Sequence, residues 1–276
     1  MQAKEKKLGK KILIFLIMAV VSIISLAPFW FMLNMSTYKT TDLYKGVKLI
    51  PGSYLLENMK TLMQLDLFRY YLNSMIVAVG ASVLTVFVCA LCGYALSKYE
   101  FKGRKALINA VLLTMMVPGQ LSLVGFAMEM KYIGWLNTLL PMIIPAAASP
   151  FGVFWIRQFT KESIPNSVIE SARLDGCGEF KIFLKIAFPF MKPACMTLLM
   201  LSFLWNWNSF IVPMIVLTDQ KLYTIPLLIR QLATQFGTDL GAQILGVVVS
   251  TIPILILFAA FSKNLINGLA SAAIKE

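Results

Sequence analysis

The amino-acid sequence predicts an all-α integral membrane protein with six transmembrane helices, and three observations carry that reading. Of the 276 residues, 58% are hydrophobic and 14% charged, against the ~25% charged of an ordinary soluble domain. The apolar residues gather into continuous runs near 12–33, 71–96, 106–128, 138–156, 193–217 and 244–262, and none of these contains Asp, Glu, Lys or Arg. Each run is about 19 residues or longer, enough to cross a ~30 Å hydrocarbon layer at 1.5 Å per residue. Only helices or closed barrels satisfy their backbone groups in lipid, and the strand-like alternation of a barrel is missing here.

The elements follow in order. Residues 1–11 carry Lys4, Lys6, Lys7, Lys10 and Lys11 ahead of the first run. That run is too long for a secretory signal and ends in PFWFML rather than in small residues, so 12–33 reads as a retained first span. Residues 34–69 form a loop whose turn-rich stretches YKTTDLYKG and PGSYLLEN predict a small folded excursion. The remaining spans make up a membrane core over 70–265. Between the second and third spans lies SKYEFKGRK (97–105), short and basic. MEMKYIGWLN follows the third span, with Tyr132 and Trp135 suited to a membrane interface. The longest polar segment, 157–192, separates the fourth and fifth spans. Residues 218–243 precede the last span, and 266–276 form a tail.

Charge orients the bundle. Of 25 Lys and Arg residues, 17 fall in 1–11, 97–105, 157–192 and the end of the chain, and 8 fall in the alternate loops. Under the positive-inside rule both termini are expected in the cytoplasm. This spread also accounts for the net charge of +12 without nucleic acid, which would call for one basic patch. Cys89 and Cys92 form a CxxC inside a span, with no second pair and no histidine in the chain. They are expected to be buried apolar filler rather than a metal or redox site.

The chain has no phosphate-binding GxxxxGK[ST] loop, no HExxH and no histidine to serve a nucleophile. Enzyme chemistry is therefore not expected of it, nor a bound metal or cofactor. Ion-coupled carriers keep an ionisable group at membrane depth, and these spans keep none. Energy for uphill movement of a solute must then enter from a partner, and the 157–192 segment is the port for it.

From Ile164 that segment reads IPNSVIESARLDGCGEFKIFLKIAFPFMKPA. Pro165 suits the first turn of a helix, 166–174 hold no helix breaker, and Gly176 stands where a left-handed terminating residue is wanted. This predicts a helix of roughly ten residues, too short to span. Glu170 and Arg173 are spaced for a surface pair, and small Ala172 permits close approach by another surface. Such a helix either merely connects two spans or inserts into a groove on a partner. A connection of some 36 residues favours the second reading.

The order Glu170, Ser171, Ala172, three residues, Gly176, nine residues, Ile186, one residue, Phe188, Pro189 resembles the EAA signature of ABC importer permeases. That signature reads EAA, three residues, G, nine residues, I-x-L-P; here Ser171 replaces Ala and Phe188 replaces Leu. Wider stretches resemble the sugar-importer branch, the second permease of maltose-type systems in the binding-protein-dependent transport family. They are LNSMIVAVGAS, ALSKYEFKGRK, NTLLPMIIPAAASPFGVFWIRQF, WNSFIVP and the tail FSKNLINGLASAAIK, covering about 55–275. The resemblance implies a type I ABC importer permease fold in a bacterial plasma membrane. It makes Glu170, Ser171, Ala172, Arg173, Leu174, Asp175 and Gly176 a coupling helix seated on an ATPase. The implied partners are a second homologous permease, two ATP-binding subunits that hold ATP–Mg, an external solute-binding protein and a carbohydrate of oligosaccharide size. A secondary carrier working without an ATPase, or a scaffold without transport, are the rival readings.

Polar residues within spans normally face the bundle or a water-filled cavity, which singles out FLWNWNSF at 203–210. As a continuous helix, this stretch would point Asn206 and Asn208 about 200° apart, so at most one faces a central pathway. Ser202, Asn206, Ser209 and Pro213 would share a stripe. Asn206, Asn208 and Ser209 are candidate path residues, with Gln120 after Pro118–Gly119 in the third span; interhelical hydrogen bonding is the simpler role for them.

Overall fold

A computed structural model describes residues 2–235 and 239–273. The end of the expected tail, 274–276, and positions 236–238 of the expected 218–243 loop lie outside the described residues. Every regular element among the described residues is helical. In chain order they are α1 (Gln2–Met35), α2 (Thr40–Leu43), α3 (Leu55–Met63), α4 (Leu67–Lys98), α5 (Arg104–Met116), α6 (Leu123–Tyr132) and α7 (Leu140–Ile143). There follow α8 (Pro150–Ser163), α9 (Asn166–Leu174), α10 (Glu179–Ile182), α11 (Phe188–Trp207), α12 (Ile211–Val216), α13 (Ile225–Gln235) and α14 (Leu240–Ala273). Five stretches are long and apolar enough to cross a membrane: Lys11–Met35, Leu67–Lys98, Leu140–Ser163, Glu179–Trp207 and Leu240–Ala260. Arg104–Met116 and Gly119–Tyr132, taken together as one broken span, make the sixth.

Several apolar runs are continuous where the helices are not. The run 106–128 bends by 90° between α5 and the Gly119–Tyr132 stretch. Pro118 lacks an N–H and forces the residue before it out of the helical region, and Val117 accordingly sits at φ −84°, ψ 120°. At the fourth run, α7 gives way to a 3₁₀ turn and then to α8, whose first turn is set by Pro150 and capped by Ser149 Oγ, which accepts the Gly152 N–H at 3.1 Å. The fifth span differs most from the run 193–217. Its helix begins at Glu179, passes through a π-helical turn at Phe183–Ala187 and ends at Trp207, leaving 208–210 non-helical before α12. Within the π turn the Phe188 N–H reaches back five residues to the Phe183 carbonyl. Pro189, next in line, has no N–H for the carbonyl four residues before it, and the widened turn accommodates its ring.

Contacts divide the chain into two compact units, Met1–Leu67 with Ile229–Ile252, and Phe68–Leu228 with Pro253–Glu276. In the first, α1 exposes most of its apolar side chains between Ile12 and Leu33, as a helix turned to lipid does. The loop after it is fixed by Asn58 of α3, whose buried side-chain amide donates to the Ser36 and Tyr38 carbonyls at 2.8 and 3.0 Å. A Cβ on Gly241 would lie 2.5 Å from the Tyr38 carbonyl oxygen, so the start of α14 approaches this loop only as glycine. Leu62, Leu232 and Leu245 form the buried centre of the unit.

The main core of the second unit joins α4, α8, α9, α10 and α11 through Tyr94, Ile156, Ile169, Ile182, Met191 and Leu198. Two glycines set how closely α8 packs here. A Cβ on Gly93 of α4 would sit 2.8 Å from the Ile156 side chain and 2.9 Å from the Arg157 backbone nitrogen; one on Gly152 would sit 2.6 Å from Cys89 Sγ. Small residues allow such helix approach within membranes. Cys89 is buried as expected, whereas Cys92 is exposed, because the close crossing takes up only the Cys89–Gly93 side of α4.

Candidate functional site

The polar segment after α8 builds one short helix on a fixed base. Pro165 occupies the position just before α9 rather than its first turn, at φ −62° and ψ 141°. The helix runs Asn166–Leu174 and closes in a Schellman motif. The Gly176 N–H donates to the Arg173 carbonyl and the Cys177 N–H to the Ala172 carbonyl, both at 3.0 Å. Gly176 supplies the left-handed conformation at φ +76°, where a side chain is strained. Ile169 and Ala172 face inward and are buried. The surface that small Ala172 admits is thus this chain's own core. Ser167, Glu170, Ser171 and Leu174 are exposed, and their spacing puts them on one face. Leu174 is an apolar side chain left 90% exposed. Asp175 and Gly176 are exposed at the end of the helix.

The expected Glu170–Arg173 pair does not form. Arg173 turns instead to Glu179, with Nε to Oε1 at 2.7 Å and Nη2 to Oε2 at 3.3 Å, while its guanidinium lies 5.6 Å from the Tyr99 ring centre. The Tyr99 hydroxyl donates to the same carboxylate at 2.6 Å. A planar guanidinium matches a carboxylate fork and an aromatic face together, which a neighbour on its own helix cannot offer. The hydrogen bond to Glu179 raises the Arg173 pKa above its ordinary value. At the other end of α9, Lys98 donates to the Ile164 carbonyl and, at 2.9 Å, to Asn166 Oδ1. Arg104 binds the Leu96 and Ser97 carbonyls at 3.0 and 3.1 Å, satisfying the end of α4. The 97–105 loop and α9 border a polar groove of about 880 Å³ lined by Lys98, Tyr99, Arg104, Lys161, Glu170 and Arg173 among others.

Sequence reasoning did not find Lys98, Tyr99 and Glu179 as the base of this helix. The available signal was the Gly-Cys-Gly turn, which reverses the chain and brings Glu179 back beside Arg173. Among the described residues no three His, Cys, Asp or Glu side chains gather to hold a metal.

Among the candidate path residues, Asn206 and Ser209 are joined by a backbone hydrogen bond, the Ser209 N–H donating to the Asn206 carbonyl at 3.2 Å. The half-buried Asn206 donates its side-chain amide to the Ser202 carbonyl at 2.7 Å and to Ser202 Oγ at 3.3 Å. Asn208 is exposed and donates to the Leu204 carbonyl at 2.8 Å, just past the end of α11. Ser209 and Pro213 do not continue the stripe of Ser202 and Asn206, since the helix stops at Trp207. Gln120 lies exposed in the 3₁₀ turn at the α5–α6 bend. Two other asparagines organise the chain after α12. Asn137, at φ 58°, accepts the Thr218 and Asp219 N–H groups at 3.1 and 2.8 Å. Asn73 donates to the Lys221 and Tyr223 carbonyls at 2.9 and 3.0 Å.

Comparison with known proteins agrees with this architecture. Residues 8–270 match the family described as binding-protein-dependent transport system inner membrane component. The arabinooligosaccharides transport system permease protein AraQ of Bacillus subtilis (strain 168) is 34% identical over 208 residues, 75% of this chain and 74% of AraQ. The lactose transport system permease protein LacG of Rhizobium radiobacter is 30% identical over 254 residues, 92% of each chain. A chain of a bacterial ABC transporter involved in import of the acidic polysaccharide alginate shares the fold at a TM-score of 0.78 and 22% identity, over 92% of this chain and 95% of that one. A short helix on a braced polar segment, a bundle with broken apolar helices and a match over nearly the whole sequence lead to one assignment. The chain belongs to the binding-protein-dependent transport system inner membrane component family.

Proposed function

We propose that this chain is the permease subunit of an ATP-driven ABC importer that takes up a carbohydrate of oligosaccharide size across a bacterial plasma membrane. Segments 1–11, 97–105, 157–192 and 266–276 are on the cytoplasmic side. The exposed face of α9, Glu170, Ser171 and Leu174 with Asp175 and Gly176 at its end, docks on a separate ATP-binding subunit. Arg173 and Ala172 hold that face in place from behind. The observation that carries the reading is the bracing of α9 at both ends, by Lys98 at its start and by Arg173, Glu179 and Tyr99 at its finish. A helix so fixed can transmit a push, whereas a loop connector needs no such support.

The nucleotide and its magnesium belong to two ATP-binding subunits, and this chain holds no cofactor of its own. A second homologous permease completes the pathway, and an external solute-binding protein, as the family description implies, delivers the solute. The carbohydrate assignment is supported by the named substrates of AraQ and LacG. Asn206, with Gln120, Asn208 and Ser209 as further candidates, offers amide and hydroxyl groups of the kind that hydrogen-bond sugar hydroxyls.

The test is purification of the tagged chain from its own membranes, followed by reconstitution with the subunits that accompany it. An ATP-binding subunit is expected to copurify, and carbohydrate-loaded binding protein is expected to stimulate hydrolysis. Purification without an ATPase, together with unaltered solute movement, would overturn the proposal.

A further inference from the structure

The chain does not leave α1 straight outward from the end of the helix. After Gly46, at φ +116°, residues 47–50 run back alongside it. The Trp30 indole N–H donates to the Leu49 carbonyl at 3.3 Å, and the Tyr38 hydroxyl donates to the Ile50 carbonyl at 2.9 Å. The chain then turns at Pro51–Gly52 and returns past the helix end. There the Gly52 N–H meets Thr37 Oγ1 at 2.6 Å and the Tyr54 N–H meets the Thr37 carbonyl at 2.8 Å. A Cβ on Gly52 would lie 2.6 Å from that carbonyl oxygen, so the return path is held closed by glycine.

Trp30 lies five residues before α1 ends at Met35 and three before the apolar run ends at Leu33. At 1.5 Å per residue those offsets are about 7.5 and 4.5 Å. The loop therefore dips to a depth that belongs to the apolar part of the helix. What it shows there is apolar: Val47, Leu49 and Ile50 are 66%, 62% and 73% exposed. Irregular backbone at such depth requires partners for its polar groups, and the Leu49 and Ile50 carbonyls have them in Trp30 and Tyr38. Lys45 precedes the dip and pairs with half-exposed Asp42 at 2.8 Å, and Lys48, within it, lies over the Tyr38 ring at 5.3 Å.

We propose that residues 44–50 are an interfacial lipid anchor. Val47, Leu49 and Ile50 enter the boundary between headgroups and acyl chains in the leaflet at the C-terminal end of α1, and Lys45 and Lys48 lie at the level of the phosphates. Apolar side chains interleaved with aromatic and basic ones are the composition such a boundary selects. The exposed surface is continuous with the lipid-facing side of α1, where Leu26, Phe29 and Trp30 are also half or more exposed. The inference stands whichever solute the chain carries.

Nitroxide accessibility tests it. Single cysteines at 47, 49 and 50, in the full-length chain with its native cysteines replaced by alanine, are labelled and reconstituted with the copurifying subunits. The vesicles are phosphatidylethanolamine and phosphatidylglycerol. Met18, exposed in the middle of the α1 run, gives the lipid reference, and Glu57, exposed on α3, the aqueous one. All three labels are expected to favour oxygen over a water-soluble nickel chelate, as at Met18. Chelate access equal to that at Glu57 would refute the anchor. Exclusion of both reagents would refute it as well, by showing that a protein partner covers the loop.

Discussion

Replacing Gly176 separates the backbone role of the α9 terminus from every steric alternative. The residue sits at φ +76°, and no heavy atom outside its immediate neighbours lies within 4 Å of where a Cβ would be. A substitution therefore meets no clash within this chain, and its cost is conformational. An L-residue in the left-handed region costs about 1–2 kcal/mol, and a β-branched one is at the upper end. Moving φ to a negative value instead would break the two Schellman hydrogen bonds, worth about 1 kcal/mol each. It would also carry Glu179 away from Arg173. Gly176→Val is thus expected to disfavour the docking geometry by about 2 kcal/mol, on the order of 30-fold in population. Asparagine tolerates this region, so Gly176→Asn, although its side chain also adds a Cβ and reaches further than valine's, should keep most of the function. The assay is ATP hydrolysis stimulated by loaded binding protein in proteoliposomes, with copurification of the ATPase as the measure of assembly. Expression should be normal for both variants, and only valine should impair coupling. Wild-type hydrolysis with valine would refute the backbone argument, and so would equal impairment by asparagine and valine.

Three further outcomes follow from the same geometry. Gly93→Ala should lower the thermal unfolding midpoint in detergent, because its Cβ would press within 2.9 Å of backbone at Arg157 and overpacking costs about 1–3 kcal/mol; Gly125→Ala, with nothing within 4 Å, should not lower it. Glu179→Gln should cost no more than about 1 kcal/mol of stability, since the ion pair is partly exposed, yet should weaken stimulated hydrolysis by loosening α9; unchanged coupling would remove Glu179 from the base of the helix. In sealed cells, an impermeant maleimide should label a cysteine at Glu57 and spare one at Ser167 until the membrane is opened, and the reverse pattern would invert the topology.

Much of the helical architecture was legible because lipid demands long apolar runs, and α9 because proline and glycine mark its ends chemically. The breaks within runs were not equally legible. Apolarity continues through Val117–Pro118, and no charged residue marks the break at 208–210, where Asn208 and Ser209 are polar but stand in a run that remains free of charge; Pro118 was a local signal for the first break. The stripe joining Asn206 to Ser209 assumed a helix that in fact stops at Trp207. Arg173 was the other miss. Spacing along a helix favoured Glu170, but Tyr99 and Glu179 offer a stacked and bidentate site that only tertiary folding brings together. Of the expected docking residues, Ala172 is buried behind the helix, leaving Glu170, Ser171 and Leu174 as its outward face.

The central claim is that the energy for uptake enters through α9 from a partner and not through ionisable groups in the spans. Uptake by proteoliposomes containing the copurified complex and loaded binding protein, with all ion gradients collapsed by ionophores, tests it most directly. Accumulation is expected with enclosed ATP and absent without it. Accumulation driven by a proton or sodium gradient in the absence of ATP would contradict the account.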